Sequence, residues 1–221
     1  MHHIRRRSSR VGSPSNTVIV SVSVFALCCG LWLLGDGAAT NAPPQPSTAQ
    51  AYSAPDGRGS GRPSEQAVAL PPSPPDRIRV PAIGVDAPLT GLGLTGTGSL
   101  DVPPPERRNL AGWYEAGTTP GETGTAVVAG HVDNAEGPAV FYSLGALRKG
   151  DTVEVGRRDG GTAVFTVHAV EVYDARDFPD EKVYGAAKRP ELRIITCGGG
   201  YSRTTGYRGN VVVYAHLTDS R

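Results

Sequence analysis

The chain has 221 residues and a net charge of +1, so no excess of positive charge is available to hold nucleic acid. It shows no repeat period, no phosphate-binding P-loop and no dinucleotide fingerprint, which removes the common nucleotide-dependent enzymes. Of its three cysteines, Cys28 and Cys29 lie in an apolar run near the N-terminus and only Cys197 lies beyond it.

Residues 1–17 carry Arg5, Arg6, Arg7 and Arg10 and no acidic residue. The uncharged run from Val18 to Leu34 is 17 residues long. As a helix it would measure roughly 25 Å, slightly under a hydrocarbon core of about 30 Å. We read 1–17 as a cytoplasmic basic tail and 18–35 as a single-pass transmembrane signal-anchor helix. The arginines keep that end inside, and everything after the run lies outside the cell membrane. A cleaved signal peptide has the same basic start and apolar middle, with Gly37-Ala38-Ala39 as its small-residue site; the retained anchor is the preferred reading. Residues 36–75 hold nine prolines amid Gly, Ser, Ala and Gln. They offer too little apolar surface to offset ordering entropy, which predicts a disordered stalk.

Residues 76–221, 146 in all, are enough for one core. They contain 16 Lys and Arg against 18 Asp and Glu, a net of −2. Strands are predicted near 77–80, 98–102, 112–114, 124–131, 152–155, 162–173, 192–197 and 210–217, with one helical pattern over 139–147. Pro103-Pro104-Pro105, Pro120-Gly121, Lys149-Gly150-Asp151 and Asp159-Gly160-Gly161 punctuate them. The fold class is therefore all-β, with about eight short strands in a barrel or sandwich.

The segment Leu192 to Cys197 is a short strand running into a thiol and then into Gly198, Gly199 and Gly200. Glycines there let another chain approach the sulfur. An extracellular domain with one unpaired cysteine points to reactive use, and a thiol of pKa near 8.5 needs a histidine or cation beside it. His131 ends the apolar strand 126–129 after Gly130 and can reach across a cleft; His168 and His216 read as structural. As donor to a developing oxyanion, Arg208 stands at the start of the last strand, whereas Arg203 lies in the polar loop 202–205.

Ala129-Gly130-His131-Val132-Asp133, the segment Ile194 to Gly199 and the segment Tyr207 to Val213 together resemble the sortase family. The likeness is greatest to the actinobacterial class E and class F group, with class F preferred. Their order fits: His131 precedes Cys197 by 66 residues and Arg208 follows it by 11. The segments 111–114 and 137–141 are similar to class F as well. The resemblance implies an eight-stranded sortase-type barrel with one or two short helices and a Cys-His-Arg site. One departure is Gly209, where an acidic residue is expected between the arginine and the asparagine.

By that resemblance Cys197 attacks the threonine carbonyl of a sorting motif similar to Leu-Pro-x-Thr-Gly, forming a thioacyl intermediate. His131 serves the leaving and incoming amines, and Arg208 holds the oxyanion or the substrate backbone. Thr196 is expected to contact substrate. The partners implied are sorting-motif surface proteins and the amine of a cell-wall precursor, with no metal, no organic cofactor and a monomeric enzyme. Two rivals differ in class. An L,D-transpeptidase would place its histidine shortly before a Ser-x-Gly-Cys segment, and a tethered binding module would not call for the lone thiol.

Overall fold

The computed structural model describes residues 42–52 and 67–221. The predicted basic tail and membrane anchor lie outside the described residues. Among the described residues no helix is long and apolar enough to cross a membrane.

Alternation of branched apolar and polar residues builds the barrel. Its strands are β1 (Pro75–Val80), β2 (Val85–Leu92), β3 (Ala111–Tyr114), β4 (Gly124–Ala129), β7 (Thr152–Arg157), β8 (Thr162–Asp174), β9 (Pro190–Ser202) and β10 (Gly206–Ser220). They close in the order β1-β2-β3-β4-β9-β10-β8-β7. A small hairpin, β5 (Asp133–Asn134) with β6 (Gly137–Pro138), stands apart from the barrel. Two pairings are parallel, β2 with β3 and β4 with β9.

Inward residues from every wall fill the interior, among them Ile78, Val128, Val153, Phe165, Leu192, Ile194 and Val213. A second cluster forms on the outer face, where Val127, Ile195, Val212 and Tyr214 meet Val183. Val183 comes from α1 (Asp180–Tyr184), the one α-helix among the described residues, in the crossover between β8 and β9.

Most predicted strands appear, and the differences have local causes. β2 went unpredicted because Pro88 interrupts it. That proline faces Arg77 of β1 and precedes Leu89, where the pairing with β3 begins; one side of β2 is still an edge there, and an edge accommodates proline. Residues 98–102, expected as a strand, form only an isolated bridge between Leu94 and Leu100, around a turn at Gly98. The helix expected over 139–147 is a turn ending in the 3-10 segment Leu144–Ala146. Val140, Leu144 and Leu147 are buried as its pattern required, but so short a segment cannot complete two α-helical turns.

The segment 36–75, expected as a disordered stalk, is in part packed on the barrel. Residues 67–75 lie along it, Leu70 N–H donating to Gly121 and Arg158 N–H to Pro74. Arg157, 3% exposed, donates to the carbonyls of Pro71 and Pro120. Residues 42–52 hold by side chains that average composition hides. Pro43 is buried, and Gln50 accepts from Lys149 N–H at 2.8 Å. The Tyr52 ring meets Tyr214 edge-on at 5.0 Å, and its hydroxyl hydrogen-bonds with His168 Nε2 at 2.8 Å.

His168 is thus a neutral ring between Tyr52 and His216, whose Nδ1 lies 3.3 Å from its own. Burial pulls its pKa from 6.5 down to about 4. The unfolded chain therefore takes the proton at higher pH than the folded one. Stability from this group is complete above 6.5 and is lost as pH falls from 6.5 to about 4. With allowance for partial solvent exposure the loss is about 2 kcal/mol. Urea unfolding at pH 7 and pH 4.5 should show a smaller drop in His168→Gln than in the unaltered chain; equal drops would assign the acid sensitivity elsewhere.

Candidate active site

Three neighbouring strands carry the predicted residues. Parallel pairing sets Ala129 beside Ile195, and Gly130 N–H donates to Ile195 at 3.2 Å, which continues that register past the strand end. Two residues further, His131 comes level with Cys197. Antiparallel pairing sets Asn210 directly beside Cys197. Arg208, two residues earlier on β10, lies on the face of Asn210, placing its Cα roughly 8 Å diagonally from Cys197. All three side chains follow the outward set of Val127, Ile195 and Val212, not the inward set of Val128, Ile194 and Val213.

The residues after the thiol are shaped by crowding. Between the pairs Gly209–Gly198 and Tyr207–Tyr201 the register shifts, so Arg208 opposes both Gly199 and Gly200. Those glycines have φ of 73° and 89°, where side chains are strained. The Arg208 guanidinium lies on Gly200, its nearest nitrogen 3.0 Å from where a Cβ would stand. Gly199 N–H donates to Gln45 Oε1 of the segment 42–52 at 3.3 Å. Gly209, the departure from the family pattern, is buried; a Cβ there would fall 1.9 Å from the Tyr173 carbonyl. β8 approaches β10 too closely for an acidic side chain.

Cys197 is at the surface with its sulfur partly sheltered. Burial pushes its thiol up, and the Asp133 carboxylate pushes it further. His131 is half-buried, and its Nε2 lies 2.7 Å from the Pro103 carbonyl. A carbonyl can only accept, so Nε2 is the donor in this contact and carries a proton. Pro105 accepts from Asn134 Nδ2 at 2.7 Å, so the triproline stretch braces the histidine loop with two backbone oxygens. The exposed Arg208 makes no ion pair among the described residues, leaving its donors unused. Arg203 sits at the tip of the β9–β10 hairpin, six residues beyond Cys197 and roughly 20 Å away along the strand.

Thr196 has a different place from the one expected. It is 3% exposed, on the inward side, and its hydroxyl donates to the Gly130 carbonyl at 2.8 Å. It ties the end of β4 to β9. Sequence reasoning missed the Pro103 carbonyl, a backbone group with no side-chain signature. It also left Asp133 and Tyr207 without roles, although the Tyr207 hydroxyl donates to Asp133 Oδ2 beside the thiol.

Along the same outward face lies a cavity of about 600 Å³. Leu94, Leu100, Tyr114, Val127 and Tyr184 line it, with Asp180 among its polar groups. Val127 precedes His131 by four residues on one strand, a separation of roughly 13 Å. An extended peptide of about four residues spans from this cavity to the thiol.

A family model described as a Sortase domain matches residues 78–218. Among solved structures, the fold is similar to that of the SrtA sortase from Actinomyces oris, at 20% identity and a TM-score of 0.53 over 71% of this chain and 89% of that one. It is also similar to sortase A of Listeria monocytogenes, at 18% identity and 0.51 over 68% and 90%. A lid mutant of sortase A from Corynebacterium diphtheriae gives 20% and 0.50 over 67% and 73%. No curated protein sequence matches the chain.

Thr196→Val keeps the shape and removes the hydroxyl, leaving a buried carbonyl without its donor. The expected cost is about 1–2 kcal/mol in urea unfolding, with Thr196→Ser close to the unaltered chain. A Val variant as stable as the parent would remove the hydroxyl from the tie between β4 and β9.

Proposed function

The chain belongs to the sortase family of cysteine transpeptidases, and we propose that it cuts a sorting motif of the Leu-Pro-x-Thr-Gly type and joins the surface protein to a cell-wall amine. It belongs by its motifs with the class E and class F group, class F preferred. It acts outside the cell as a monomer tethered by residues 18–35, and the tether raises the effective concentration of enzyme at the membrane face. The observation that carries this reading is the presentation of His131, Cys197 and Arg208 by β4, β9 and β10 on one outward face. The cavity four residues upstream supports it, because its apolar wall suits the leading side chain of such a motif.

The chemistry follows from the groups. The Cys197 thiol passes its proton to His131 as the sulfur attacks the threonine carbonyl, and the C–N bond breaks while the leaving amine takes that proton from His131. The thioester that remains is attacked by the incoming amine, which gives its proton to His131 as the new amide forms. Sulfur leaves as thiolate and takes that proton back from His131, which restores the resting thiol. Arg208, with its donors unused at rest, meets the oxyanion at each tetrahedral stage, where it acts mainly in the transition state.

Two measurements test the reading. Full-length chain incubated with sorting-motif peptides and an amine such as triglycine should show a thioester on Cys197 by mass spectrometry, and Cys197→Ala should show neither thioester nor cleavage. Turnover retained in Cys197→Ala would sink the mechanism. Arg208→Ala should lose about 10²–10³ in kcat, with Arg208→Lys recovering little because it lacks the planar fork. Arg203→Ala should change kcat/KM by less than about fivefold, as befits an exposed charge; a larger loss there than at Arg208 would reverse the assignment.

A further inference from the structure

β4 and β10 are not neighbours in the barrel; β9 stands between them and carries Cys197. Past the thiol, β9 continues as Gly198, Gly199 and Gly200, which offer no side chain to hold the two flanking walls apart. Yet the donor–acceptor spacing around a reacting carbonyl must be held closely for the groups on those walls to act together. One side-chain hydrogen bond among the described residues crosses this gap, from the Tyr207 hydroxyl at the start of β10 to Oδ2 of Asp133 in β5. Asp133 lies two residues after His131, and Tyr207 immediately precedes Arg208.

We propose that Asp133 is a positioning residue, forming with Tyr207 a clasp across Cys197 that sets the spacing between His131 and Arg208. This rests on the transpeptidase reading of the site. The clasp is built to be stiff at both ends. Tyr207 packs edge-on against Tyr201 with ring centroids 5.2 Å apart, which pins the β9–β10 hairpin. Asp133 pairs with Pro138 in the β5–β6 hairpin, while Ala139 N–H donates to Val132 and Phe141 N–H to His131. The loop bearing Asp133 is therefore fixed by backbone bonds and has little freedom to follow a moving tyrosine.

A second consequence is electrostatic. Asp133 of β5 acts on the sulfur, Tyr207 of β10 stands near Asp133, the thiol and Tyr142 of the turn after β6, Tyr201 packs on Tyr207, and strand register sets His131 and Arg208 on either side of β9. The Asp133 carboxylate acts with burial to favour the neutral thiol. The Tyr207 proton is held by the same carboxylate, its pKa raised by burial and by that bond. The clasp thus joins geometry to charge at one residue, and removing the charge alters the thiol in a direction that a purely structural bond would not.

The test uses the full-length chain with Asp133→Asn and Tyr207→Phe. Iodoacetamide alkylation of Cys197, followed site by site against pH by peptide mass spectrometry, is measured beside kcat and KM on a sorting peptide. Both variants should lose about tenfold or more in kcat with KM within about twofold. Asp133→Asn alone should move the alkylation profile to lower pH, since Tyr207→Phe keeps the carboxylate. Unchanged kcat in either variant, or an unmoved profile in Asp133→Asn, overturns the clasp; if Asp133→Asn fails to fold, Tyr207→Phe decides by kcat. Alkylation needs no substrate, so an unaltered chain that turns over no peptide overturns the transpeptidase reading separately.

Discussion

The site depends on the parallel pairing of β4 with β9. Residues 66 apart in sequence come level because six pairs, from Gly124–Pro190 to Ala129–Ile195, hold one register. Gly130 N–H and the Thr196 hydroxyl carry it past the end of the strand. Parallel strands need a long crossover, and here it includes the hairpin β5–β6, the barrel strands β7 and β8, and α1. Each of these adds a wall to the site while it closes the barrel. The Asp133 loop comes from the start of the crossover, and the cavity wall around Tyr184 comes from its end.

Parity makes that register unforgiving. Along β9, Leu192 and Ile194 fill the interior while Ile195 packs under α1, and Cys197 shares the outward side. A slip of one residue would turn the thiol into the core and expose the isoleucine. The barrel interior thereby enforces the direction of the nucleophile although no core residue touches substrate. The same parity explains Thr196, one step from the thiol and for that reason inward. Its hydroxyl is useful as a buried tie because the Gly130 carbonyl lies just past the last ladder pair of β4 with β9.

Much of this was legible in the chain. β8, β9 and β10 are rich in valine and isoleucine, and their punctuation by glycine and aspartate marked the turns. Cys197, His131 and Arg208 stand out in the sequence as chemistry-bearing types beside apolar runs, and the structure sets them on neighbouring strands, with Cys197 inside β9 and not at its end. Pairwise contacts were not legible. Pro88 looked like a strand breaker and lies in β2 at a half-open edge. The prolines of 42–52 lowered the mean hydropathy of a segment that still buries Pro43 and lays Tyr52 against Tyr214. Gly209 looked like a missing acid, and only the approach of Tyr173 explains it. Composition averages over neighbours in sequence, whereas these features depend on neighbours in space.

The electrostatics of the thiol bear on where such an enzyme works. Thiolate is both the nucleophile and the form most readily oxidised. A site that kept its sulfur ionised at rest would be exposed to oxidants between encounters with substrate. Here burial and the Asp133 carboxylate both favour the neutral thiol, and the Arg208 guanidinium lies on Gly200 with no ion-pair partner among the described residues. In the proposed mechanism the guanidinium and the sulfur stand on either side of the substrate. A substrate carbonyl entering between them supplies the oxygen on which negative charge develops, and the guanidinium then has its partner. Catalytic power in this arrangement is conditional on occupancy, and the same carboxylate that restrains the thiol holds one end of the frame that makes occupancy productive.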